Sequence, residues 1–147
     1  MLIGIPPLLG PDLLHSLRSM GHGDEIAIVD ANYPAHEHAR RLVRADGHGL
    51  LALVTAILAV LPLEAAPQPA ILRAAQDNDP AKSGPIHRDL DALCARLVPA
   101  ARVQVLDGPQ LYPRIRAAHT VVASGEMALY ANVILRKGVI AGPPFPR

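Results

Sequence analysis

The sequence is poor in cysteine and in aromatic residues. Its single cysteine, Cys94, excludes an internal disulfide and a cysteine-based zinc site. With no tryptophan, one phenylalanine and three tyrosines, the core must be almost wholly aliphatic. An excess of charge is missing as well, since 14 basic and 13 acidic residues leave a formal charge of +1. That balance argues against a protein whose main task is to hold a nucleic-acid backbone. No apolar run reaches the roughly 20 residues of a membrane span. The longest run covers residues 50–63, is broken by Pro62, and reads as a buried helix. No basic stretch followed by an apolar one opens the chain, so no secretory leader is expected. One cysteine fits a reducing, cytoplasmic setting.

Half of the 147 residues are hydrophobic, enough for one domain over residues 1–147 with a core of its own. Fifteen prolines and eleven glycines imply short, stiff connections between elements. Leu13, Leu14, Leu17 and Met20 share one face of a helix over 12–20, and Gly21 follows as its stop. Residues 25–29 are apolar without alternation, as in a strand covered on both faces. A loop at Pro34 carries His36 and His38. Arg40, Arg41 and Arg44 form a small basic cluster that a solvated helix explains. The apolar helix 50–61 follows, then a strand at 70–74 and a polar loop at 76–84. Pro85 suits the first turn of a helix that stacks Leu90, Leu93, Cys94 and Leu97. A strand at 102–106, a helix at 111–118 and strands at 120–123 and 131–135 complete the chain. Strands alternating with helices predict an α/β domain of three layers, with a largely parallel central sheet flanked by helices.

Chemistry-bearing residues concentrate in two stretches. In the first, His22 lies between Gly21 and Gly23, and Asp30 stands where the strand 25–29 should end. A histidine titrates near neutrality and can move protons, and the glycines leave its ring accessible. Asp30 can accept sugar hydroxyls or hold a cation, or merely cap the next turn. An extended path from His22 to Asp30 covers roughly 26 Å at about 3.3 Å per residue. One small ligand can therefore meet both only if the chain folds back near Gly23, or if a neighbouring subunit completes the site. The second stretch runs from Ser124-Gly125-Glu126 to Tyr130-Ala131-Asn132 and on through Arg136-Lys137-Gly138. A tyrosine ring with an asparagine amide suits a pyranose, which offers an apolar face and a rim of hydroxyls.

Other chemistries find less support. His36 and His38 with Asp30 could suggest a metal enzyme, but an i, i+2 pair diverges on a strand and no HExxH pattern exists, so no metal site is expected. His15, His48, His87 and His119 carry no pattern and read as surface or capping residues. There is no phosphate loop, no GxGxxG and no serine nucleophile elbow.

The two stretches together resemble the fucose mutarotase and ribose pyranase family. The resemblance rests on GHGDEI running into DANYPAH, and on SGE followed by YANVILRKGV, with Arg44-Ala45-Asp46-Gly47 between them as in the fucose-type branch. It implies an isomerase without cofactor that interconverts the α and β anomers of a monosaccharide, L-fucose or a related sugar. It further implies that His22 is the proton donor, and that Asp30, Tyr130, Ala131 and Asn132 bind the sugar. A homo-oligomer of pentamer rings, commonly a decamer, is implied too, with no nucleic-acid or membrane partner. Two positions depart from the family pattern. Gly108 stands where family members carry a sugar-contacting arginine or histidine, with Arg102 and Arg114 as candidates to replace it in space. Asn32 replaces a histidine common in the fucose-type branch. A non-catalytic monosaccharide-binding protein accessory to sugar uptake is the alternative that Gly108 raises.

Overall fold

Glu25 to Val29 form the strand β1, in which every residue after Glu25 is buried. Their side chains alternate between two cores. Ile26 and Ile28 face a larger cluster, and Ala27 and Val29 face a smaller one on the opposite side of the sheet. A strand buried on both faces must be apolar throughout, which explains the uninterrupted sequence run.

The computed structural model describes residues 1–142, which form one α/β unit. The last five residues of the domain expected from sequence lie outside the described residues. In order, the elements are α1 (Pro11–Ser19), β1 (Glu25–Val29), α2 (Ala35–His38), β2 (Leu42–Ala45), α3 (Leu50–Leu58), β3 (Pro69–Ala74), a 3-10 turn at Gln76–Asn78, α4 (Pro85–Leu97), β4 (Arg102–Leu106), α5 (Gly108–Ala117), β5 (Thr120–Ser124) and β6 (Val133–Arg136). The strands form one six-stranded sheet in the order β2-β5-β1-β6-β3-β4. Helices α1, α3 and α4 cover one face through Leu13, Leu17, Leu50, Leu53, Ile57 and Leu90. On the other face α5 packs Leu111 and Ile115 against Leu72, Val121 and Ile134.

Three strand pairs are parallel, β1 with β5, β2 with β5 and β3 with β4. The exception is β6, which runs antiparallel to both β1 and β3. A parallel neighbour needs a crossover of a dozen or more residues. Only residues 125–132 separate β5 from β6, too few for such a crossover, so β6 must return in the opposite sense. Val133 consequently stands beside Ile28 near the end of β1, while Arg136 stands beside Glu25 at its start.

Three local expectations are corrected. The basic segment is no solvated helix: Leu42–Ala45 is an edge strand that exposes Arg44 while burying Val43. The Pro34 loop tightens into the four-residue helix α2, with the His38 N–H bonded to the Pro34 carbonyl at 3.1 Å. The apolar helix also ends earlier than expected, at Leu58.

Ile134 lies in the central strand with no exposed surface. Ile134→Ala should lower the unfolding free energy by about 2–5 kcal/mol in urea titration, with little relaxation available at the middle of a sheet.

Candidate functional site

The carboxyl ends of β1 and β5 and the chain entering β6 converge on one edge of the sheet. Asp30 follows β1 directly and is only 6% exposed. Its main-chain N–H donates to Asn132 Oδ1 at 3.0 Å, across 102 residues of sequence. With that oxygen occupied, the Asn132 NH2 is left to donate to the Asp30 carboxylate and to a ligand. Asp30 Oδ1 also accepts the Asn32 N–H at 3.0 Å. Asp30 therefore caps the next turn and also lines the cavity. Burial pushes its carboxyl above the ordinary aspartate value, opposed by hydrogen bonds from Asn32, Asn132, Tyr33 and Ala131.

Beside this pair opens a cavity of about 340 Å³, at the small end of the ~300–1,000 Å³ typical of ligand pockets. Asp30, Asn32 and Asn132 give it polar groups, and Tyr33, Tyr112 and Tyr130 give it rings, with Pro34, His38 and Leu129 at its edges. All three tyrosines of this aromatic-poor chain thus meet in one place. Tyr33 and Tyr112 were not among the candidates from sequence. The signal that could have found them is scarcity, since three rings in 147 residues are too few to build a core.

Tyr130 adopts a left-handed backbone conformation, φ 60°, which costs a non-glycine residue on the order of 1 kcal/mol. His87 holds it there. The Gly84 N–H donates to His87 Nδ1 at 2.9 Å, so the ring proton must sit on Nε2, which donates to the Tyr130 carbonyl at 2.8 Å. His87 is 1% exposed, so it is a capping residue, as expected, but not a surface one. Ala131 is wholly buried and offers the cavity no side chain.

The rest of the second motif fastens this loop. Ser124 Oγ donates to the Val29 carbonyl at 2.6 Å, and Glu126 accepts the Leu50 N–H at the start of α3. At Gly125 a Cβ would lie 2.1 Å from the Asp46 carbonyl oxygen, so only glycine allows that approach. The Arg44–Asp46 ion pair of the third matching stretch is a surface contact, with both side chains 60% exposed.

His22 stands at the opposite end of β1. Its Nε2 lies 2.8 Å from Glu64 Oε2. The Ala65 N–H and His22 hold the Glu64 carboxyl below the usual range, so Glu64 is an acceptor. Nε2–H therefore faces Glu64 and Nδ1 faces solvent, a base oriented by a carboxylate. Glu64 was not among the sequence candidates. Gly23, at φ 82°, turns the loop, and its N–H is pinned to the Lys137 carbonyl at 2.8 Å. Gly21 needs no such conformation. Arg136 lies 3.8 Å from Glu64 through Nε, and Lys137 Nζ caps the last carbonyls near the end of α1 at Leu17 and Met20. The chain does not fold back far enough to bring His22 to the cavity that Asp30 lines.

Arg114 is paired with Glu25 at the start of β1 and Arg102 with the Pro67 carbonyl, so neither replaces a basic residue at Gly108. At Gly108 a Cβ would meet Asn78 Oδ1 at 2.7 Å and Tyr112 Cε2 at 2.9 Å, so a side chain there requires both of these side chains to shift. His36 is exposed, and the Nε2 of His38 faces the Arg116 guanidinium at 3.1 Å. Among the described residues no three His, Cys, Asp or Glu side chains gather to hold a metal, and no helix is long and apolar enough to cross a membrane.

His87→Phe keeps the ring but removes the donor, leaving the Tyr130 carbonyl unbonded. It should cost about 1–3 kcal/mol in denaturant unfolding, whereas His87→Gln, which keeps an N–H, should recover part of that loss.

Residues 3–140 match the RbsD / FucU transport protein family. The chain is 37% identical over 147 residues to the fucose mutarotase of Homo sapiens, covering 96% of each protein. It is 37% identical over 140 residues to the L-fucose mutarotase of Haemophilus influenzae, covering 95% of this chain and 97% of that one. The crystal structure of the fucose mutarotase from Streptococcus pneumoniae in complex with L-fucose superposes with a TM-score of 0.83 at 34% identity, over 95% of this chain and 100% of that one. With the family match spanning nearly its whole length, this chain belongs to the RbsD / FucU family.

Proposed function

We propose that this protein is a monosaccharide mutarotase acting on L-fucose or a closely related sugar in the cytoplasm, without a cofactor. The observation that carries this reading is the cavity where Asp30, Asn132 and three tyrosines meet. An acceptor-only carboxylate and a donor amide suit a ring of hydroxyls, and tyrosine rings suit its apolar face. Relatives that are fucose mutarotases at 37% identity supply the reaction type.

Mutarotation opens the hemiacetal when the ring oxygen gains a proton and the anomeric hydroxyl loses one. Rotation about C1–C2 and reclosure on the other face complete it, so proton transfer and positioning suffice. His22, with Nε2–H held by Glu64 and Nδ1 free, is suited to that transfer. Because His22 and Asp30 lie at opposite ends of β1, we infer that His22 of one copy meets the cavity of another, within an assembly of pentamer rings. The second reading, a binding protein without turnover, is favoured by the same separation if the chain acts alone.

Saturation-transfer NMR with L-fucose and D-ribose separates them. Faster anomer exchange for one sugar, lost in His22→Ala with its melting temperature retained, is expected. Line broadening without faster exchange would leave the binding protein, and unchanged exchange in His22→Ala would remove His22 from the mechanism. The raised carboxyl of Asp30 adds a pH dependence. Sugar affinity should fall in acid at a higher pH than an ordinary aspartate would give, and this limb should vanish in Asp30→Asn. Since the native state binds the Asp30 proton more readily than the unfolded chain, stability from this group declines as pH rises through its raised value. At neutral pH Asp30→Asn should therefore melt at a higher temperature than wild type while binding sugar less well.

A further inference from the structure

A directed chain of hydrogen bonds that the proposed chemistry leaves unused runs from the exposed Arg116 to two side chains of the cavity, His38 and Tyr33. Arg116 Nη2 lies 3.1 Å from His38 Nε2, and His38 Nδ1 lies 3.0 Å from the Tyr33 hydroxyl. A guanidinium has donors and no acceptor, so Nε2 must present its lone pair. The ring proton then sits on Nδ1 and is given to Tyr33 Oη. That bond occupies a lone pair of the phenol and leaves its single proton free. The Tyr33 ring is fixed from two sides, edge-on to His38 at 5.4 Å and tilted against Tyr112 at 6.0 Å. Both Tyr33 and His38 line the cavity that holds Asp30. Burial raises the Tyr33 hydroxyl above the ordinary phenol range, so it remains a donor.

We propose that Tyr33 is a specificity-determining residue whose free phenolic proton is donated to one non-anomeric hydroxyl of the sugar, with Arg116 and His38 as positioning residues that fix its direction. The assignment rests on the monosaccharide reading of the cavity. The Asp30 carboxylate can only accept, and Tyr33, already accepting from His38, has its one proton to donate, so together they impose an orientation on a ring whose hydroxyls do both. The proton transfers at the anomeric centre fall to His22, which leaves Tyr33 to hold a part of the sugar that does not react. An oxygen that this donor reaches becomes a requirement for binding, because a sugar lacking it leaves the half-buried phenol unpaired within the complex.

The test is a cycle between protein and ligand. Dissociation constants are measured by NMR titration for L-fucose and for monodeoxy derivatives that each lack one non-anomeric ring hydroxyl. Wild type, Tyr33→Phe, His38→Ala and His38→Asn are compared. Wild type should bind one derivative about tenfold more weakly than L-fucose on account of Tyr33, and Tyr33→Phe should abolish that difference while leaving the other derivatives unaffected. His38→Ala should reduce the same discrimination, and His38→Asn, whose amide N–H replaces Nδ1–H, should restore it. An equal loss on every sugar in Tyr33→Phe, no loss at all, or undiminished discrimination in His38→Ala would overturn the proposal. Those outcomes leave the mutarotase reading standing if wild type still speeds anomer exchange. Failure of wild type to bind any of these sugars would overturn both.

Discussion

The reversed direction of β6 is the constraint on which the site depends. An all-parallel sheet would carry the chain after β5 across to the opposite edge before the next strand began. Here residues 125–132 turn back at once, and β6 inserts between β1 and β3. Its first residues therefore lie beside the last residues of β1. The hydrogen bond from the Asp30 N–H to Asn132 Oδ1 closes that junction. The same reversal carries Arg136 and Lys137 to the other end of β1, where they surround the His22 loop. One antiparallel strand thus builds both ends of the proposed apparatus, and it also keeps them a full strand apart.

The cavity end carries features that oppose stability. Asp30 is buried with no cationic partner among the described residues, and Tyr130 sits in a left-handed conformation. Backbone and amide donors offset the first, and the neutral, buried His87 offsets the second through a tautomer that the Gly84 N–H dictates. Both are held by a framework of aliphatic strands that is buried on each face. Such local strain, over-determined by its surroundings, is the usual condition of a preorganised binding site.

Much of this was legible in the sequence because the relevant signals are local. The apolar run of β1, Pro85 at the start of α4 and the spacing of Leu90 with Cys94 each announce their element. The pairing of Asp30 with the Tyr130–Asn132 segment was legible only as a resemblance, since no periodicity reports a contact across 102 residues. Leu42–Ala45 was missed as a strand because it lies at the sheet edge and alternates only briefly, with arginine on its exposed side. Tyr112 and Glu64 were missed for a common reason. Each meets a partner distant in sequence, Tyr33 and His22 respectively, and nothing in its neighbours marks it. Asn78 and Tyr112 occupy the space above Gly108, a packing that the sequence does not report.

In the proposed assembly one chain supplies the cavity and another supplies the proton-transferring histidine. Subunit complementation tests it most directly. His22→Ala and Asp30→Asn are each prepared, unfolded and refolded together in equal amounts, and mixed assemblies are confirmed by native mass spectrometry. If His22 serves the cavity of a second copy, about one quarter of the sites in a random mixture combine an intact His22 with an intact Asp30, and anomer exchange returns to that level. If exchange stays at the level of the separate variants, the two residues act within one chain or His22 does not take part, and the claim is contradicted.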